Sequence, residues 1–534
     1  MAIGHGCYHD ALNGNSVDRL SENTYDEVAY PTFPRFQTHP AHLQTMAFLG
    51  GLESAPPGRC RVLELGCGDG GNLLSMAVAL PESRFVGVDL AGTAIERGNS
   101  AVTALGLANI RLMQADLLNI DASIGEFDYI IAHGLYAWVP DPVREKLLAI
   151  CASQLALDGI AFISFNSFPG CHLRLALREM LLFHIQHIRN RQQRLAEARS
   201  LLKTLSGALV ADPRGEAIRK EVERLIDLED GYLFHDDLAE VYRPVYFHEF
   251  AAHAQRHGLR YLCDARYWHM EESPLTDVAG ALSETAGEDR DLRAQYVDFF
   301  KVRPFREALL CKGDRTPDFR ALSGRFQNLF VASSSAPVGE PDAEGGLRFQ
   351  IAEGRSLSTN HPIAKAALAY LGQVWPRWVR FPDLLDEILA PDVDEDARQS
   401  SGEALSEMLL RLSAVRFVQA LTTPPQLASQ LSERPVASPL VRYQLSTGSA
   451  KVSSLRHTTV ELSDPLSRHT VRLLDGTHNR TELLDELVAL VKLGVAKLEI
   501  NKEQITDPAR VPDLLARSLE GNLEKLMRLG LLSA

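Results

Sequence analysis

Nine consecutive residues constrain this 534-residue chain more than any others: Glu64-Leu65-Gly66-Cys67-Gly68-Asp69-Gly70-Gly71-Asn72. A short apolar run, Arg61-Val62-Leu63, precedes them and a helical run, Leu73 to Leu80, follows. The order reads as strand, glycine turn, helix. Glycines let the backbone turn sharply and approach a ligand without interference from a Cβ. The helix beyond begins with N–H groups that have no intrahelical partner. A turn of this kind holds a nucleotide-like cofactor.

Gly66-x-Gly68-x-x-Gly71 also satisfies the dinucleotide fingerprint, so the turn alone leaves a nicotinamide or flavin open. Its neighbours narrow the choice. Glu64 stands two residues before the first glycine. Arg84 to Asp89 reads as a second strand, and it closes on Asp89 about 20 residues on, where an acid takes ribose hydroxyls. Asn109 to Gln114 reads as a third strand, followed by Ala115-Asp116-Leu117. The succession Glu-x-Gly-x-Gly-x-Gly, Val-Asp, Ala-Asp resembles the class I S-adenosylmethionine (SAM) methyltransferases. That resemblance implies that Glu64 helps fix the methionine end. It puts Gly66, Cys67, Gly68, Gly70 and Asn72 in the cradle, Asp89 and Leu90 at the ribose, and Asp116 and Leu117 at the adenine. It implies an α/β core of Rossmann type, a seven-stranded sheet with strand seven antiparallel.

Phe127 to Ala132 reads as strand four and ends in His133-Gly134-Leu135-Tyr136-Ala137-Trp138-Val139-Pro140. Gly159 to Phe165 reads as strand five and ends in Asn166-Ser167-Phe168-Pro169-Gly170. Ligands of open α/β sheets lie beyond the carboxyl ends of strands, so both segments are expected to face the transferred methyl. Neither carries the Asn/Asp-Pro-Pro-Tyr tetrapeptide of many amide and base methyltransferases, which argues against DNA adenine or glutamine as acceptor. Tyr136 and Trp138, with Tyr25 or Tyr30 from the N-terminal segment, are the candidate aromatic walls. Such walls desolvate an amine and lower its pKa, and their faces attract cations. His133 is a candidate base or cofactor contact, and Asn166 a candidate for orienting the acceptor.

The net charge of −14 argues against a general nucleic-acid binder, which needs a basic face. Seven scattered cysteines without Cys-x-x-Cys read as reduced thiols of a cytoplasmic protein. No signal peptide and no membrane-spanning stretch is read. His248, His253 and His257 share a helical segment, but no further ligand is in sight, so they read as structural and no metal is expected.

The proline- and aromatic-rich segment 1–45 reads as an arm or lid, with Thr38 as N-cap of a helix His42 to Leu49. The methyltransferase core is expected over 46–312, with helical insertions at 167–245 and 268–302. Within the first, Cys171 to Leu209 reads as one long amphipathic helix with a basic polar face, a candidate dimer contact, and the acids from Asp227 to Asp237 read as a solvated helix end. Phe305 to Lys312 is the expected antiparallel strand. Ser333 to Gly346 reads as a flexible loop inside a hairpin of Phe326 to Ala332 with Leu347 to Ala352. Beyond it, Phe381 to Ile388 echoes Arg480 to Leu487, each second in a set of three helices. Two winged-helix-like α+β modules, 313–425 and 426–534, follow from that repeat. Their helices are acidic or neutral, which favours packing or protein recognition over DNA.

This order of parts is similar to a bacterial family with a class I methyltransferase core followed by a methyltransferase regulatory domain, whose characterised members are rickettsial protein-lysine methyltransferases of outer-membrane protein. The matching stretches are Tyr25 to Leu43, Leu63 to Gly70, His133 to Pro140, Asn166 to Gly170, Gly231 to Leu262 and Tyr296 to Lys312, with Pro435 to Arg442 and Leu473 to Leu487 beyond. The resemblance implies a SAM enzyme, a homodimer, and a wide cleft for a protein or peptide chain. A methyltransferase of a small molecule or peptide natural product, and a SAM-binding regulator, stay open as alternatives.

Overall fold

The computed structural model describes residues 32–209, 212–266, 285–287, 289–352, 354–495, 499–500, 503–504 and 509–533. Tyr25, Tyr30 and most of the expected insertion at 268–302 lie outside them. After helix α1 (Pro40–Leu49) the chain alternates β1 (Arg61–Leu65), α2 (Gly71–Ala79), β2 (Arg84–Asp89), α3 (Gly92–Ala104), β3 (Ile110–Gln114), β4 (Phe127–Ala132), α4 (Asp141–Gln154) and β5 (Leu155–Asn166). A helical insertion follows: α5 (His172–Ile185), α6 (Arg191–Ala208) and α7 (Pro213–Ile226). The sheet is then completed by α8 (Phe247–Arg256), β6 (Leu259–Asp264), α9 (Arg290–Lys301) and β7 (Phe305–Lys312). The strand order is β3-β2-β1-β4-β5-β7-β6, with β7 antiparallel to both its neighbours, as expected from the sequence.

The central strands are apolar almost throughout because both faces of the sheet are covered. The period-two alternation sorts their side chains. Tyr129 and Ile131 face one way, with Val62, Phe162 and Leu309, against α1, α2 and α3. Ile130 and Ala132 face the other, with Leu63, Ile163 and Leu310, against α4 and α8. The first of these cores does not stop at the sheet. It runs on through Phe326, Val331, Phe349, Leu368, Leu384, Leu409 and Phe417, so the region after 313 packs directly against the methyltransferase core.

That region holds β8 (Phe330–Ala332), β9 (Ala336–Val338), β10 (Leu347–Gln350), β11 (Ser356–Thr359), α10 (Pro362–Val374), β12 (Val379–Arg380), α11 (Phe381–Ile388), α12 (Glu395–Ala414) and β13 (Gln419–Leu421). The hairpin expected between Phe326–Ala332 and Leu347–Ala352 does not form. β8 pairs with β12 and β13, while β10 pairs with β9 and β11. The start of the expected flexible loop is fixed by buried serines, Ser333 Oγ donating to Phe417 O at 2.7 Å and Ser335 Oγ to Leu368 O at 2.6 Å. The C-terminal part has its own core around Val441, Leu483, Leu515 and Leu523. It contains α13 (Pro439–Ser446), a hairpin of β14 (Lys451–Ser453) with β15 (Thr459–Glu461), and α14 (Pro465–Leu473), α15 (Arg480–Lys492) and α16 (Val511–Arg528).

Two local expectations also change. The single helix from Cys171 to Leu209 is two helices, because Asn190 Oδ1 accepts from Gln193 N at 2.9 Å and starts α6 afresh. Apolar periodicity runs through such a break unmarked. Part of the basic face is engaged, since Arg174 pairs with Asp237 at 2.8 Å and Arg199 with Asp230. Asp227, Glu229 and Asp230 are exposed, as expected of a solvated helix end, while Asp237 is buried in its ion pair. At α1 the N-cap is His39, whose Nδ1 accepts from Ala41 N at 3.2 Å, while the Thr38 hydroxyl turns inward to Arg35 O at 2.8 Å.

Candidate cofactor site and methyl-transfer mouth

The glycine turn after β1 is held from three sides. Gly66 N and Cys67 N donate to Val88 O at 2.8 and 3.1 Å, which ties the turn to β2. Asp89, at the end of β2, accepts from Gly68 N at 2.7 Å and from Ala91 N at 2.8 Å. Gly68 has φ +58°, and a Cβ there would meet Thr32 Cγ2 at 2.5 Å, so only glycine fits. Gly98 of α3 is needed for a different reason, as a Cβ would strike the Asp69 carbonyl and push α3 off the turn. Thr32 closes the third side. Its hydroxyl donates to Asp69 and accepts from Gly71 N.

Glu64 sits beneath the turn, buried, with Oε1 accepting from Asn72 Nδ2 at 2.9 Å. Its Oε2 is buried with no hydrogen-bond partner among the described residues. Burial pushes its pKa up to about 8, against the pull of the Asn72 bond. An orphaned buried carboxylate oxygen is costly and suits the ammonium of SAM's methionine end, so the residues present fit that group. Asn72 is itself fully engaged. Its Oδ1 accepts from Arg35 N at 3.0 Å and lies 2.8 Å from His457 Nε2. Gly70 is the left-handed N-cap of α2, Asp116 Oδ1 caps the turn at Leu117 by accepting from Leu118 N at 2.9 Å, Leu117 is buried, and Leu90 is exposed at the rim.

A ligand ammonium needs Glu64 ionised, and the free carboxyl titrates at about 8. His133, His39, His42 and His457 are all held neutral by burial, far below this range. Affinity for S-adenosylhomocysteine should therefore fall about tenfold per unit as pH drops below about 8, and Glu64→Gln should flatten that dependence. Calorimetric titration between pH 6 and 9 measures it; a flat wild-type profile would remove Glu64 from the ammonium.

The methyl-transfer mouth is expected at the carboxyl ends of β4 and β5, across from the start of β7. His133 stacks on Phe162 at 6.0 Å and leans on Phe305 at 6.2 Å. Burial first, then Arg35 and Arg266, push its pKa down to about 3. Asn166 is buried directly across from Phe305 in the sheet register, with its carbonyl accepting from Val245 N at 3.2 Å. Half-buried Phe168 and Tyr246 face each other at 5.3 Å nearby. Sequence reading passed over Arg35, Arg266 and Glu307. Arg266 is clamped to Glu307 through two nitrogens, and both arginines act on His133. Only the apposition of the arm with the ends of β6 and β7 brings them there.

Tyr136 is not a wall of this mouth. It is 3 % exposed. Its ring packs on Phe165 and Phe250, and its hydroxyl is 2.8 Å from His253 Nδ1. The residue follows β4 by four positions, where the chain has already turned under α8. Trp138 packs on Tyr242 at 4.5 Å with the Arg174 guanidinium over it, joining the core to the helical insertion.

Residues 62–159 match the model of a methyltransferase domain, 229–312 that of a predicted methyltransferase regulatory domain, and 433–531 that of the PKMT C-terminal winged helix domain. An uncharacterized protein of Rickettsia prowazekii is 30 % identical over 520 residues, 94 % of this chain and 92 % of its own length. The chain belongs to the SAM-dependent methyltransferase family of the rickettsial PKMTs. A second uncharacterized Rickettsia prowazekii protein is 36 % identical over 248 residues, 46 % of this chain and 99 % of its own. The structure of PKMT2 from Rickettsia typhi is 27 % identical with a TM-score of 0.86, covering 95 % of this chain and 100 % of that one. Its complex with AdoHcy matches with a TM-score of 0.84. The cofactor of this methyltransferase is accordingly SAM. No helix among the described residues is long and apolar enough to cross a membrane.

Proposed function

We propose that this methyltransferase modifies lysine side chains of a protein substrate. The observation that carries the reading is the mouth itself, where a neutral imidazole, His133, stands between aromatic faces at the strand ends. A lysine acceptor starts from a reference pKa of about 10.4 and must lose a proton before it is nucleophilic. Phe305, Phe168 and Tyr246 supply apolar surface that disfavours the charged ammonium, so the amine sheds its proton to solvent as it enters, and His133, held neutral, adds no charge that would repel the sulfonium. Asn166 lines the same mouth opposite Phe305. SAM, when bound, supplies an electrophilic methyl on a sulfonium. The chain's own contribution is to align the amine and keep water out, which carries much of such an acceleration. The likeness to PKMT2 along the whole chain supports a protein acceptor.

In this reading 46–312 is the catalytic core, and 313–425 and 426–534 are the modules that frame the substrate cleft, in a cytoplasmic homodimer. The exposed Phe183 and Met180 on α5 support the dimer contact in the insertion at 167–245. Purified full-length protein incubated with host-cell lysate and isotopically labelled SAM should place label on lysine in tryptic peptides read by mass spectrometry. Label confined to other side chains or to small molecules would overturn the proposal.

A further inference from the structure

We propose that Glu145, His253 and His257 form a binding site for one divalent transition-metal ion, on the side of the core that carries α4 and α8. The two histidines are four residues apart, so their side chains share one face at the end of α8. The third ligand, which no reading of that helix could find, comes from α4. Glu145 Oε1 is 3.0 Å from His253 Nε2 and Glu145 Oε2 is 3.0 Å from His257 Nε2. One ligand atom from each of the three residues lies within 4.8 Å of the others. Tetrahedral zinc at its usual bond lengths sets its ligands about 3.3 Å apart, so small side-chain adjustments close the site.

His253 gives the cluster its direction. The residue is 7 % exposed, and its Nε2 is buried beside Glu145 without the alignment of a hydrogen bond. Its Nδ1 lies 2.8 Å from the Tyr136 hydroxyl, and Tyr136 is fixed edge-on against Phe250. Without an ion, Nε2 lies against the Glu145 carboxylate; when an ion displaces the Nε2 proton, Nδ1–H can donate to the Tyr136 hydroxyl and Nε2 offers its lone pair to the ion. A ligating histidine held through its other nitrogen is the usual outer arrangement of a metal site. Arg256 is the neighbouring cation that opposes an ion. His248, the third histidine of this helix, is engaged elsewhere, with Nδ1 3.0 Å from Gln295 Oε1.

Two imidazoles and one carboxylate favour zinc, cobalt or nickel over magnesium or calcium. Glu145 is exposed, so water completes the coordination. An ion there joins α4 to α8 and, through Tyr136, steadies the segment from 133 to 138 that carries His133. The test uses the full chain, freed of any affinity tag and stripped with chelator, titrated with Co²⁺ by visible absorption and with Zn²⁺ by calorimetry. Wild type should take up one equivalent with a low-symmetry cobalt spectrum and a raised melting temperature in zinc. His257→Ala and Glu145→Gln, both at accessible positions, should weaken uptake at least tenfold while keeping the wild-type circular dichroism, and His248→Ala should not. No uptake by wild type at micromolar Zn²⁺, or equal uptake by His257→Ala, would overturn the site.

Discussion

Asp89→Ala should lower the affinity for S-adenosylhomocysteine by a factor of about 100 or more while leaving the fold intact. The carboxylate does two things at once. It accepts from Gly68 N at 2.7 Å and Ala91 N at 2.8 Å, which fixes the turn that must wrap the ligand. It also stands at the end of β2, where acids of this fold take ribose hydroxyls. Hydrogen bonds to a charged group are each worth about 1.5–3 kcal/mol, and a factor of 100 needs only about 2.7 kcal/mol. The sheet beneath is packed on both faces by apolar cores to which Asp89 does not belong, so the circular dichroism should be unchanged. Asp89→Asn, which keeps the shape and one acceptor, should fall between. Calorimetric titration decides; affinity within threefold of wild type for Asp89→Ala would remove the residue from the cofactor site.

His457→Ala should weaken cofactor binding about tenfold and destabilise the protein by about 2–4 kcal/mol, the range for a buried polar partner lost together with its volume. His457 belongs to the C-terminal part of the chain, on the turn between β14 and β15, yet it is buried against α2. Its Nε2 is 2.8 Å from Asn72 Oδ1 and its Nδ1 3.1 Å from Ser75 Oγ. Asn72 must accept through Oδ1 because its Nδ2 is committed to Glu64. Nε2 of His457 therefore carries the proton and Nδ1 accepts from Ser75. Burial holds the ring well below its ordinary pKa, so this neutral arrangement persists at physiological pH. The backbone there has φ +57°, a left-handed conformation that costs a non-glycine residue about 1–2 kcal/mol. Next to it the Arg456 guanidinium covers Trp375 at 3.7 Å. The turn thus fastens the C-terminal region to the helix that starts the cofactor cradle. Thermal melting with and without S-adenosylhomocysteine measures both effects. A His457→Ala protein with unchanged melting temperature and unchanged affinity would show that the contact carries no coupling.

The sheet was legible because its signals are local. Glycines without Cβ, an acid closing β2 and alternating apolar runs are forced by backbone geometry wherever a parallel sheet meets a nucleoside. The same holds for α15, whose Asn479–Glu482 capping box writes its own start. The break at Asn190 was missed because an asparagine inside an amphipathic pattern marks a helix start only when its side chain turns back to the backbone. The β8 pairing was missed because three-residue strands carry too little pattern to choose a partner.

For the site, the sequence by itself set Glu64, the glycine turn, Asp89 and Asp116 in fixed order along successive strand ends, and sheet topology puts those ends side by side. The tertiary structure alone decided what surrounds it. Tyr136 went into the core and Phe305 to the mouth, because a residue four positions past a strand end is placed by the helix that covers it. Arg35 and Arg266 met at His133, with Glu307 clamping Arg266, Glu145 met His253 and His257, and His457 reached Asn72 from the far end of the chain. Such meetings depend on how separate elements dock, which is set by packing summed over whole surfaces and leaves no mark at any one position.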